Sequence, residues 1–122
     1  MSGTRAPLAL LATSLALLCG CGQTHVVGSD RTLQISLTEY RLAPQSIRAT
    51  AGTLTILVRN YGRLTHNLVI ALRGHPEGST KPIPPGQTAV LTITLAPGTY
   101  LMSSTILSDQ ALGAYGTLSV TS

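Results

Sequence analysis

From Arg31 onward, apolar residues recur at every second position, a period that builds sheets rather than helices. Leu33, Ile35 and Leu37 alternate with Gln34, Ser36 and Thr38. Leu54, Ile56 and Val58 repeat the pattern against Thr53, Thr55 and Leu57, and Val90, Thr92 and Thr94 alternate with Leu91, Ile93 and Leu95. Successive side chains of a strand point to opposite faces, so each run reads as a strand with one buried face. Leu68 and Ile70 follow His66 on one face of a further strand, and Leu118 and Val120 complete the set. Ala51-Gly52, Tyr61-Gly62, Pro85-Gly86 and Pro97-Gly98 mark the turns between them. The pattern predicts an all-β, antiparallel sandwich of six to eight short strands. Irregular segments are expected at 73–85 and 105–114. Trp and Phe are absent, so the core must be built from Leu, Ile, Val and Tyr.

The first twenty residues stand outside this pattern. Arg5 is a short basic leader, and the apolar run from Ala6 to Leu18 is too short to span a bilayer comfortably. It ends Leu18-Cys19-Gly20-Cys21, which resembles a bacterial lipobox with the acceptor thiol at Cys21: Leu18 stands three residues before the acceptor and small Gly20 just before it. A secretory leader cut at another small residue is the alternative. The expected organisation is a signal peptide over 1–20, a lipidated N-terminus and tether over 21–30, and one domain over 31–122. This places the protein outside the cytoplasm, held on the bacterial membrane through the lipid on Cys21. Cys19 leaves with the leader and Cys21 becomes a thioether, so the folded domain keeps no thiol for a disulfide or a metal. Without Arg5, seven basic and four acidic side chains remain. That modest, scattered charge with so few aromatic side chains argues against a nucleic-acid partner. A small positive charge is mildly attracted to an anionic membrane surface.

Two stretches carry a resemblance to a known family. The first is Asn60-Tyr-Gly-Arg-Leu-Thr-His66-Asn67-Leu-Val-Ile70. The second is Gly98-Thr-Tyr-Leu-Met-Ser-Ser104, running on to Gly116-Thr-Leu-Ser-Val120, with Pro85-Gly86 and Pro97-Gly98 between the two. In this order and spacing they resemble the cupredoxin-like (blue-copper) domain family over roughly residues 31–122. The resemblance implies a cupredoxin-like Greek-key sandwich. It also implies a ligand set of one upstream His and, on the closing loop, Cys, His and Met separated by four residues each. Carried over by position, these ligands fall on His66, Ser104, Asp109 and Ala114. His66 is retained; a hydroxyl, a carboxylate and a methyl stand where the other donors are expected. Blue copper depends on a thiolate, so copper is not expected as a cofactor, nor is any other.

The remaining chemistry at these positions is limited. His66 and Asp109 are the two surviving donors for a harder metal, where a stable site normally uses three or four. Alternatively, the pair joins its two segments by a charge-assisted hydrogen bond in place of the metal. Ser104, His66 and Asp109 also spell a nucleophile, a base and an acid. A triad, however, needs Ser and Asp on opposite imidazole nitrogens, and no strained nucleophile turn is present. No catalytic residue is therefore assigned, and the chain reads as a non-enzyme. Met102 is expected in the core, His25 in solvent, and His75 with Glu77 on a polar loop. The functional expectation is a membrane-anchored binding or accessory module without redox activity, with an envelope protein as a possible partner. The alternative is a metal-handling protein of the cell envelope, for copper or iron, that uses His66 and Asp109 with ligands supplied by a partner.

Overall fold

In the computed structural model the described residues are 23–106, 109 and 112–122. They form ten strands: β1 (His25–Val26), β2 (Thr32–Thr38), β3 (Arg41–Ala43), β4 (Ser46–Thr50), β5 (Gly52–Asn60), β6 (Val69–Leu72), β7 (His75–Ser79), β8 (Thr88–Leu95), β9 (Gly98–Ser103) and β10 (Tyr115–Thr121). One sheet has the order β1-β4-β10-β9-β6-β7, and the other β3-β2-β5-β8. The period-two runs supply the space between them. Leu33, Ile35 and Leu37 of β2, Leu54, Ile56 and Val58 of β5, and Tyr100 and Met102 of β9 are all buried. Met102 is fully enclosed.

The two-sheet sandwich is as the periodicity predicts, with more strands and mixed sheets. β2 lies parallel to β5, and β4 lies parallel to both β1 and β10. The chain repeatedly crosses between sheets, for example from β4 to β5, so a strand can arrive beside a neighbour with the same direction. That leaves every buried face intact, because pairing direction does not change which side chains point inward.

Two segments read as irregular are ordered. His25–Val26 pairs with Ile47–Arg48, Val27 N donates to Arg48 O at 2.9 Å, and Val27 is buried, so the sheet begins inside the expected tether. His75 and Glu77 lie on β7, not on a loop; Arg73 and Gly74, both at positive φ, turn β6 back on itself. Both side chains remain exposed. Gly78 permits this strand to pack, since a Cβ there would meet Ile93 Cδ1 at 2.7 Å. His25 is exposed, as expected.

The strands set one end of the sandwich as the place where the irregular chain collects. β2 and β5 both finish there, β10 begins there, and residues 61–68, 104–106, 109 and 112–114 close it.

Candidate functional site

His66 sits just outside the regular strands, in an isolated bridge with Ile83: His66 N donates to Ile83 O at 3.2 Å and Ile83 N to His66 O at 2.6 Å. Its imidazole is fully buried. Nδ1 lies 2.6 Å from Asp109 Oδ2, and Ser104 Oγ donates to the same oxygen at 2.6 Å. A carboxylate oxygen accepts only, so Nδ1 carries the proton. Asp109 is itself buried and is held by the loop that bears it: Asp109 N donates to Ile106 O at 3.2 Å, and Ala114 N to Asp109 O at 2.9 Å. Ser104 N in turn donates to Ala114 O at 3.0 Å. All four positions carried over from the resemblance therefore meet in one buried cluster.

The cluster is closed by Asn67. Thr105 N donates to Asn67 Oδ1 at 2.7 Å, Asn67 Nδ2 to Thr105 Oγ1 at 3.0 Å, and Asn67 N to Ser104 Oγ at 3.3 Å. These bonds lash the segment after His66 to the start of the closing loop. Among the described residues, no group of three or more His, Cys, Asp and Glu side chains is placed to hold a metal ion.

This end also contains Glu39, which no motif in the sequence marks. Its Oε1 accepts from Arg63 N at 2.5 Å and Leu64 N at 2.7 Å, and stands 3.5 Å from His66 Nε2. Nε2 is buried and has no hydrogen-bond partner, so the ring lies between two carboxylates and bonds closely to only one. The only trace of Glu39 in the sequence is Gly62: the Glu39 carboxylate fills the space where a side chain at 62 would stand. The neighbouring residue ties in the closing loop, since a Cβ on Gly113, at φ 121°, would meet Tyr40 O at 2.5 Å. Gly113→Ala should therefore cost more than about 1 kcal/mol, from a side chain at positive φ as well as the clash. A thermal melt matching that of the wild type would contradict this.

The backbone donors, that of Leu64 first, hold the Glu39 carboxyl below the ordinary glutamate range, against the opposing desolvation of this part-exposed group. A carboxylate depressed in the folded state adds stability above its unfolded pKa and loses it as pH falls through the folded value. Wild type should therefore lose stability in the acid range below the ordinary glutamate pKa, and Glu39→Gln should flatten that part of the profile. Melting temperatures of both proteins from neutral to acid pH measure it; parallel profiles would remove Glu39 as a contributor.

Residues 10–114 match the sequence family described as the cupredoxin-like domain. The chain belongs to that family. No curated protein matches it. Among solved structures, a dithionite-reduced auracyanin from Roseiflexus castenholzii aligns at 24% identity over 78% of this chain and 100% of its own, with a TM-score of 0.70. Auracyanin A, a "blue" copper protein from Chloroflexus aurantiacus, aligns at 20% identity over 79% and 99%, with a TM-score of 0.66. An azurin from Methylomonas sp. strain J aligns at 13% identity over 77% and 100%, with a TM-score of 0.67. At these identities the likeness establishes the fold.

The donor set of this cupredoxin-like domain does not fit blue copper. No sulfur stands at Ser104, Asp109 or Ala114, and a carboxylate already occupies the Nδ1 side of His66 at 2.6 Å. The triad order is not present either. Ser104 and His66 both bond the one Asp109 oxygen, and Nε2 faces Glu39 instead of a serine hydroxyl.

Proposed function

We propose that this protein is a membrane-anchored, extracytoplasmic cupredoxin-like lipoprotein that acts as a binding or accessory module, without redox or catalytic activity. In this reading the lipid is carried on Cys21, and a hydrogen-bonded clip replaces the copper ion. One observation carries it: Asp109 Oδ2 lies 2.6 Å from both His66 Nδ1 and Ser104 Oγ. The carboxylate joins the His66 segment to the closing loop, the mechanical role that a shared metal ion would otherwise play. Bonds of this charge-assisted kind are short and about twice as strong as neutral ones. The loops at that end are then preformed and stiffened without the electronic consequences of a metal.

A titration of the purified protein with cuprous, cupric, zinc and ferric ions tests the reading. The expected result is weak shifts spread over all three histidines and no visible absorption band. Saturable one-to-one binding that selectively moves the His66 resonances and is lost in Asp109→Ala would replace it with metal handling. Incorporation of labelled palmitate by wild type, and its loss in Cys21→Ser, tests the anchor separately.

A further inference from the structure

We propose that the end of the sandwich carrying His66 and Asp109 is the surface that rests on the lipid bilayer. The proposal rests on the anchor at Cys21 and adds an orientation to it. The direction of the chain supplies the first argument. β1 runs parallel to β4, and β4 parallel to β10, with His25 beside Ile47 and Ile47 beside Leu118. Going backward from Leu118 along β10 leads to Tyr115 and the closing loop at the His66 end. Going backward along β1 leads the same way, and Thr24 Oγ1 is still 3.1 Å from Ser46 Oγ, at the start of β4. The described chain thus begins heading toward the His66 end. Only Gly22 separates Gln23 from Cys21. Two residue steps reach at most about 7 Å. A lipid on Cys21 therefore holds this end against the membrane.

The surface at that end suits the position. Tyr40 and Tyr61 follow the ends of β2 and β5, and Tyr115 opens β10; all three are exposed, while the fourth tyrosine, Tyr100, is buried. Leu64 and Leu112 are exposed in the two loops between them. The other large apolar side chains exposed among the described residues, Val26, Val90 and Leu101, lie on strands and not at the opposite end. Tyrosine combines an apolar ring with a polar tip and is enriched where protein meets the headgroup layer.

Charge points the same way. Arg41, Arg59 and Arg63 are exposed around this rim, with Arg59 Cζ 5.1 Å from the centroid of the Tyr61 ring. The two carboxylates of this end are engaged internally, Asp109 by His66 and Ser104, and Glu39 by two backbone amides. An aromatic rim bearing arginines that, among the described residues, make no salt bridge to a carboxylate matches an anionic lipid surface.

The test uses the full-length protein made in bacteria, reconstituted in phosphatidylglycerol–phosphatidylethanolamine vesicles containing a nitroxide lipid. Fluorescent labels go on Leu64→Cys and Tyr115→Cys at the proposed contact, and on Ala96→Cys at the far end. Quenching several-fold stronger at positions 64 and 115 than at 96, and reduced there by Arg41→Glu with Arg63→Glu, is the expected result. Equal quenching at all three sites in palmitate-labelled protein would overturn the orientation and leave the anchor standing. Labels that stay aqueous at 64 and 115 would free the rim for a protein partner, again overturning the proposal. Absence of palmitate on the wild type would remove the anchor, and the orientation with it.

Discussion

Asp109→Ala should destabilise the domain by about 3 kcal/mol, because it removes the shared acceptor of a buried hydrogen-bonded cluster and leaves two donors enclosed without a partner. For a domain of this size that corresponds to a fall in melting temperature of roughly 12–24 °C. The loss has three parts. The buried His66 Nδ1–H loses its acceptor at 2.6 Å, the Ser104 hydroxyl loses its acceptor at 2.6 Å, and position 109 loses its side-chain link to the His66 segment. His66 Nε2 already lacks a close partner, so the ring would be left without a good hydrogen bond at either nitrogen. Asp109→Asn keeps an acceptor oxygen and should lose much less. Thermal melts of both variants, with the His66 side-chain resonances followed by NMR, measure the effect. If Asp109→Ala melts with the wild type and leaves those resonances in place, the carboxylate is not what fastens this end.

The sequence disclosed His66 and Asp109 through a positional frame, and it disclosed the core through period-two runs such as Leu54-Ile56-Val58. Both signals are local or repeat at fixed spacing. Other elements lacked such a signal. β4 buries only Ile47 and Ala49, too few to register as a pattern. β7 is almost wholly exposed and contains Pro76 and Gly78, so its composition reads as a loop; the Arg73-Gly74 turn and antiparallel pairing with β6 make it a strand. Glu39 was invisible for another reason. Its partners, the amides of Arg63 and Leu64, lie 24 and 25 residues away, and backbone donors carry no sequence signature. Parallel pairings were also hidden, because burial alternates identically in parallel and antiparallel strands.

Asn60 shows how much of this end depends on a residue whose chemistry is not catalytic. It is fully buried at the end of β5. Its Nδ2 donates to Leu64 O and to Ile83 O, both at 2.8 Å, and its Oδ1 accepts from Gly62 N at 2.8 Å. The amide thereby fixes both the loop before His66 and the segment bridged to it. Asn60→Ala would strip three backbone groups of a partner, each worth about 1–3 kcal/mol if left buried and unsatisfied. Ile83 O keeps the bond from His66 N, and Leu64 lies exposed where water can replace the amide. The expected loss is accordingly about 2 kcal/mol, nearer one unsatisfied group than three. Asn60→Asp should be worse at neutral pH, since a carboxylate would set a charged oxygen against two carbonyl oxygens. Burial and those carbonyls favour its protonated form, which regains one donor. A group whose folded-state pKa is raised costs stability above that value and recovers it as pH falls. Asn60→Asp should therefore converge on Asn60→Ala in acid, although both variants share the acid loss due to Glu39. Melting curves of the pair at neutral and acid pH isolate the difference. A constant gap would mean that position 60 holds the loop by shape and not by its two donated hydrogen bonds.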